Sequence, residues 1–204
     1  MARGITLRGP HQFEPVRFGR ESPDMGFNVD LVAARGITAS DLLATMNLEY
    51  TGHTEEEPES PVVGASLPSG WYILYFNDRT PPKETDLASL AGGAEVMQLD
   101  VSEAVGHSDA KCWMNGLMTW RILYEGAQRL AVTGHTPECF AEVEDRMRKK
   151  QASENDVDYV FNVPADVFAE ITRFPYDGNP NGYPVASFDV LRRKKPHRKW
   201  WQLW

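Results

Sequence analysis

Asn115-Gly116 stands between two runs, residues 111–114 and 117–124, that are dominated by aromatic, aliphatic and β-branched side chains. Asn-Gly is the favoured pair for a two-residue type I′ turn, because both positions must take positive φ. The two runs therefore predict a β-hairpin. A second turn at Glu125-Gly126 leads into residues 129–133, so that residues 111–133 read as a three-stranded antiparallel meander.

Elsewhere the apolar pattern alternates between strand and helix. Residues 71–76, Trp-Tyr-Ile-Leu-Tyr-Phe, are aromatic or aliphatic throughout. Such continuity predicts a central strand covered on both faces. Residues 29–34 and 95–101 predict two more strands, and 158–163 and 185–191 another two. Thr38-Ala39-Ser40-Asp41 is a helix start, since a hydroxyl can cap free backbone N–H groups, with Leu42, Leu43 and Met46 on the apolar face. Residues 86–91 read as a short helix stopped by Gly92-Gly93. A longer helix is expected from Pro137, with Thr136 as cap and Phe140, Val143 and Met147 buried. Residues 165–172 predict a last short helix.

Strands and helices in this arrangement predict an α+β fold with a mixed or antiparallel sheet. Residues 1–28, rich in Gly, Pro and Arg, read as an extended arm, 29–191 as one domain, and 192–204 as a tail. Stretches 29–101 and 111–191 share an element order. Each has a short strand, then Gly36-Ile37-Thr38 or Gly134-His135-Thr136, a helix, an aromatic strand and a short helix. That order predicts an internally duplicated β-α-β-α unit, although Gly-x-Thr before a helix is also ordinary capping grammar.

Charge is unevenly distributed. The chain carries 29 acids against 21 Lys and Arg, a net −8. Yet Arg192, Arg193, Lys194, Lys195, Arg198 and Lys199 crowd the tail with Trp200, Trp201 and Trp204. Without those cations the remainder holds about −14, a body that repels polyanions and attracts basic partners. Glu55, Glu56, Glu57 and Glu59 concentrate that charge in residues 51–61, which read as an exposed loop. No apolar run approaches the roughly 20 residues of a bilayer span. Residues 1–10 lack the apolar region of a secretory signal. A cytoplasmic location is the expectation, with Cys112 and Cys139 as reduced thiols.

Catalytic signatures are few. His11, His53, His107, His135 and His197 are widely spaced, and no two of them stand at metal-ligand spacing. No metal or cofactor is expected. His107-Ser108-Asp109 contains triad residue types, but a triad is assembled in space rather than along a chain, and the tripeptide reads as an exposed turn. Glu142, Glu144 and Asp145 fall on the solvent face of a charged helix. If the chain is an enzyme, its site is assembled from distant residues, with His107 or His135 meeting an acid such as Asp158.

In charge, size and lack of a catalytic motif the chain is similar to small acidic bacterial proteins that block or regulate another protein, such as toxin-immunity factors. That similarity transfers no residue. The leading expectation is a non-enzymatic protein-binding or inhibitory module. Its acidic loop would steer a basic partner, and Trp71, Trp113 or Trp120 would anchor it. A homodimer is also compatible. The third expectation is a nucleic-acid or membrane accessory acting through the basic, Trp-rich tail.

Overall fold

The apolar runs must pair their backbone groups to leave water. The computed structural model describes residues 27–154, 157–178 and 182–194 and shows where those groups go. The chain runs β1 (Asn28–Arg35), α1 (Ala39–Thr45), β2 (Leu48–Glu55), β3 (Val62–Ser66), β4 (Tyr72–Phe76), α2 (Glu84–Leu90) and β5 (Glu95–Ser102). It continues through β6 (His107–Met114), β7 (Leu117–Gly126), β8 (Arg129–Gly134), α3 (Phe140–Ser153), α4 (Val163–Thr172) and β9 (Phe188–Arg193). Among the described residues, nine strands form one antiparallel sheet in the order β2-β9-β3-β4-β1-β5-β6-β7-β8. No described helix is long and apolar enough to cross a membrane.

Strand pleating divides the core in two. Val29, Leu31 and Ala33 of β1 face α3 and α4, whereas Val32 and Ala34 face α1 and α2. In β4, Ile73 and Tyr75 take the first face, and Tyr72, Leu74 and Phe76 the second. A strand with a helix layer on each side has no face left for water, which is why residues 71–76 are apolar throughout. Each large side chain buried in this way stabilises the fold by roughly 1.5–3 kcal/mol.

The meander forms as expected. Asn115 and Gly116 take φ of 52° and 77°, and β6 pairs with β7 from Ser108↔Tyr124 to Met114↔Leu117. The second turn lies two residues later than predicted, at Ala127 and Gln128, both at positive φ. Thr38 caps α1, its Oγ1 accepting from the Asp41 N–H at 3.2 Å.

Several expectations fail. Residues 51–55 are not loop but the end of β2, an edge strand that pairs only with β9 and leaves most of its side chains exposed or half-buried. Strand β3, absent from the sequence reading, follows directly on the loop. Thr136 does not cap α3. Pro137 first closes a turn, its carbonyl accepting from the Phe140 N–H at 3.0 Å, and Cys139 holds the cap position. Residues 158–163 are not a strand, because Tyr159–Asn162 form a 3-10 helix. The Asp158 carboxylate accepts from the Phe161 N–H at 3.2 Å, and Pro164 presets the start of α4. The second stretch thus lacks the aromatic strand that a duplicated unit needs. The fold also takes in Arg192 and Arg193 of the expected tail, since β9 runs to Arg193 and is inserted between β2 and β3.

At the end of β8, Gly134 has φ of 79°, and a Cβ there would overlap the Thr119 carbonyl and come within 3.1 Å of Trp120 Cα. Gly134→Ala is expected to cost about 2–4 kcal/mol in urea unfolding. Gly93→Ala, where a Cβ meets nothing within 4 Å, serves as the near-neutral control. Equal midpoints for the two variants would mean that β8 does not approach β7 this closely.

Candidate functional site

The three tryptophans expected as partner anchors are core residues. Trp71 is 1% exposed, Trp113 3% and Trp120 6%. Trp71 and Trp120 lie in the core beneath α3 and α4, and Trp113 in the core beneath α1 and α2. The Arg35 guanidinium covers the Trp71 ring, 4.6 Å from its centroid. The burial of the three tryptophans, on or beside interior strands, is explained by the cost of leaving bulky apolar surface wet.

What those tryptophans leave outside is the hairpin tip between them. Met114 is 43% exposed, Leu117 72% and Met118 44%. The Gly116 N–H donates to the Ala91 carbonyl at 3.1 Å, which pins the tip to the end of α2. Beside it runs a groove of about 1060 Å³, bounded by the hairpin, by residues 134–139 and by the end of α4. Cys112, His135, Glu138 and Cys139 line it. Burial pushes the Cys112 thiol up to about 11 and also raises that of Cys139. Both therefore carry their protons at neutral pH, the unreactive form of a cysteine.

Glu55 turns inward on its own loop. Its carboxylate accepts from the N–H groups of Glu59 and Ser60 at 2.7 and 2.8 Å and from the Ser60 hydroxyl at 2.6 Å. These bonds shape the loop. Glu56, Glu57 and Glu59 are exposed. Glu57 and Glu59 overhang a second cavity, of about 450 Å³, with Phe27, Tyr75, Asp177 and Tyr183.

Neither His107 nor His135 pairs with Asp158, the acid expected in an assembled site. Asp158 caps the 3-10 helix and accepts from the Tyr124 hydroxyl. His135 lies in the groove, and His107 Nε2 lies 3.3 Å from Asp100 instead. His107-Ser108-Asp109 is no exposed turn. It opens the interior strand β6, where Ser108 and Asp109 are buried. Sheet register explains Asp100: it stands directly between Asp30 of β1 and Asp109 of β6, three aspartates in one row across the second face. Arg79 bridges Asp30 at 3.1 Å and Asp100 at 2.8 Å. Lys111 and Arg121 hold Asp109 at 3.0 and 2.8 Å. This row is invisible in sequence, because its members are about 70 and nine residues apart and only the strand register aligns them. Neither His107 nor Asp100 lines the cavities above.

Of the expected tail, Arg192 pairs with Glu49 at 2.8 Å and Arg193 with Asp78 at 3.0 Å. The Lys194 N–H donates to the Asn47 carbonyl. Lys195, Arg198, Lys199, Trp200, Trp201 and Trp204 lie outside the described residues, as do residues 1–26 of the expected arm. Among the described residues, no three His, Cys, Asp or Glu side chains are placed to share a metal ion. Against known protein families, curated proteins and solved structures, the chain has no match.

Burial, reinforced by the charge of Asp100, raises the Asp30 carboxyl from 3.8 to about 6 despite Arg79. Between those values the folded protein binds a proton that the unfolded chain does not, so this group's contribution is lost as pH rises through about 6. Urea unfolding of the wild type and of Asp30→Asn from pH 4 to 7 should show it. The stability of the wild type relative to the variant should fall by on the order of 1–3 kcal/mol up to about pH 6 and then level off. A pH-independent difference would place Asp30 at its ordinary value.

Proposed function

We propose that the protein is a protein-binding module, of inhibitory or regulatory kind, whose contact face is the tip of the β6–β7 hairpin with the groove beside it. One observation carries this reading: Met114, Leu117 and Met118 stay in water on a turn that is itself held in place. Three large apolar side chains in one exposed patch are costly to keep unless something covers them. Methionine suits such a face, because its unbranched, polarisable side chain adapts to a partner's shape. Pinning the tip to α2 reduces the ordering that binding would otherwise require. Trp113 and Trp120 act here from beneath, as the packing that fixes the hairpin.

The groove adds a polar rim, with Arg35 paired to Glu95 and Arg173 to Glu170 at 2.7 Å. A rim of satisfied charges around an apolar centre is the usual anatomy of a protein interface. In this reading the module works inside the cell, where Cys112 and Cys139 stay reduced. Its acidic surface favours encounter with a basic partner more than it holds that partner once bound.

The test uses Leu117→Ser/Met118→Ser, which alters exposed positions and should shift stability by no more than about 0.5 kcal/mol. Tagged wild-type protein purified from its own host should retain one protein in stoichiometric amount that the double variant loses. A photo-crosslinking residue at position 117 should join that same protein, whereas one at Val105, 77% exposed on the far end of the sheet, should not. Equal retention by the wild type and the double variant would overturn the hairpin as the contact face.

A further inference from the structure

The cavity under the acidic loop has a chemistry of its own. Its walls are aromatic: Phe27 ahead of β1, Tyr75 on β4 and Tyr183 ahead of β9. The tyrosine hydroxyls are turned away to one acceptor, the Tyr176 carbonyl, at 3.0 Å from Tyr75 and 3.4 Å from Tyr183. The Phe27 ring meets Tyr176 edge-on, with centroids 5.7 Å apart. At about 450 Å³ the space falls within the roughly 300–1,000 Å³ of ligand pockets and far exceeds a bare ammonium ion.

The acidic-loop side of its rim is held in place. The Asn77 side-chain amide donates to the Pro58 and Ser60 carbonyls at 2.7 and 2.8 Å, and the Glu55 carboxylate closes the other side of the loop. Glu57 and Glu59 are thus held over the opening, opposite Asp177. Among the described residues no Lys or Arg lines this cavity, and none is ion-paired with Glu57, Glu59 or Asp177. The aspartate row on the other face differs, since Arg79, Lys111 and Arg121 answer each of its members. Burial, together with the nearby Glu103 charge, raises the Asp177 carboxyl, as it would for a desolvated acid lacking a counter-charge.

We infer that this cavity receives the cationic side chain, arginine or lysine, of a basic partner polypeptide. Carboxylates at the rim attract the charge, and the aromatic walls suit a cation over a ring face, with its aliphatic stem against the rings, better than a neutral polar group. The loop's exposed glutamates and the chain's net charge of −8 favour approach of a basic chain over that of an acidic or neutral one. The inference deepens the reading of a protein-binding module by naming the partner's chemistry, but it rests on a surface separate from the hairpin.

The test is titration of the isotope-labelled full chain, followed by NMR, with acetyl-Gly-Arg-Gly-amide and with its citrulline counterpart, which keeps the shape and removes the charge. The arginine peptide should give saturable shifts at residues 57–59, 77 and 177–178, with citrulline at least about tenfold weaker. Glu57→Gln/Glu59→Gln/Asp177→Asn should weaken binding about tenfold, whereas Glu56→Gln, on the same loop but not lining the cavity, should change it less than about twofold. Leu117→Ser/Met118→Ser should bind the peptide as the wild type does, which separates this result from the fate of the hairpin. Thermal unfolding unchanged in each variant shows that the comparison is between folded proteins. Equal affinity for arginine and citrulline would overturn the inference. So would an equal loss in Glu56→Gln, or no saturable shift at these residues up to about 20 mM peptide.

Discussion

Burial of β1, β4 and β5 on both faces is the constraint from which the other features follow. A strand closed to water on each side has little room for polar residues, so β4 becomes a continuous apolar run, and helices must be supplied above and below. The chain supplies α1 and α2 from the connections that leave β1 and β4, and α3 and α4 from a single stretch after the meander. The side chains of Leu31, Ile73 and Leu99 are fully buried beneath one layer, and those of Val32, Leu74 and Val96 beneath the other. With the interior strands locked in this way, register is settled across the sheet, since a slip of one residue would exchange the two faces.

That register has an electrostatic consequence. It places Asp30, Asp100 and Asp109 side by side near one end of the sheet. Three adjacent carboxylates would repel one another in a poorly hydrated site, and the fold offsets this with Arg79 from the loop after β4 and with Lys111 and Arg121 from neighbouring strands. Asp30, the most enclosed of those that Arg79 serves, still holds its proton more tightly than an ordinary aspartate. On the opposite face of the same end, Glu57, Glu59 and Asp177 have no such answer among the described residues. The contrast between the balanced row and the unbalanced cavity is what gives the cavity its chemical direction.

In the proposed reading the hairpin and the cavity divide the work of recognition in different ways. Apolar atoms at the tip would contribute to complex lifetime, because they leave water only when seated. Carboxylates around the cavity would act at a distance and favour the approach of basic partners, an influence that salt weakens. Tryptophans, the residues most enriched at binding hot spots, turn out to hold the scaffold, and the methionines and leucine that they support meet the solvent.

Locally encoded elements were legible from the residues themselves. Asn115-Gly116 determined its turn through the φ angles it permits, Thr38 determined the start of α1 through its hydroxyl, and residues 71–76 determined a central strand through their unbroken apolarity. Segments whose state depends on distant partners were not legible. Strand β2 is polar along much of its length, and only pairing with β9, more than 130 residues later, makes it a strand. Residues 158–163, aromatic enough for a strand, became a helical turn because Asp158 and Pro164 favour that start and the site already faces a complete sheet. The candidate sites belong to this second group. Glu57 and Glu59 were visible as charge, but the cavity that they overhang joins residues 27, 75, 177 and 183, which only the packed chain brings together. Sequence alone determined the turns, the caps and the apolar runs, because these depend on neighbours along the chain. Tertiary structure alone decided which charges are answered and which apolar residues remain in water, because burial and pairing depend on neighbours in space.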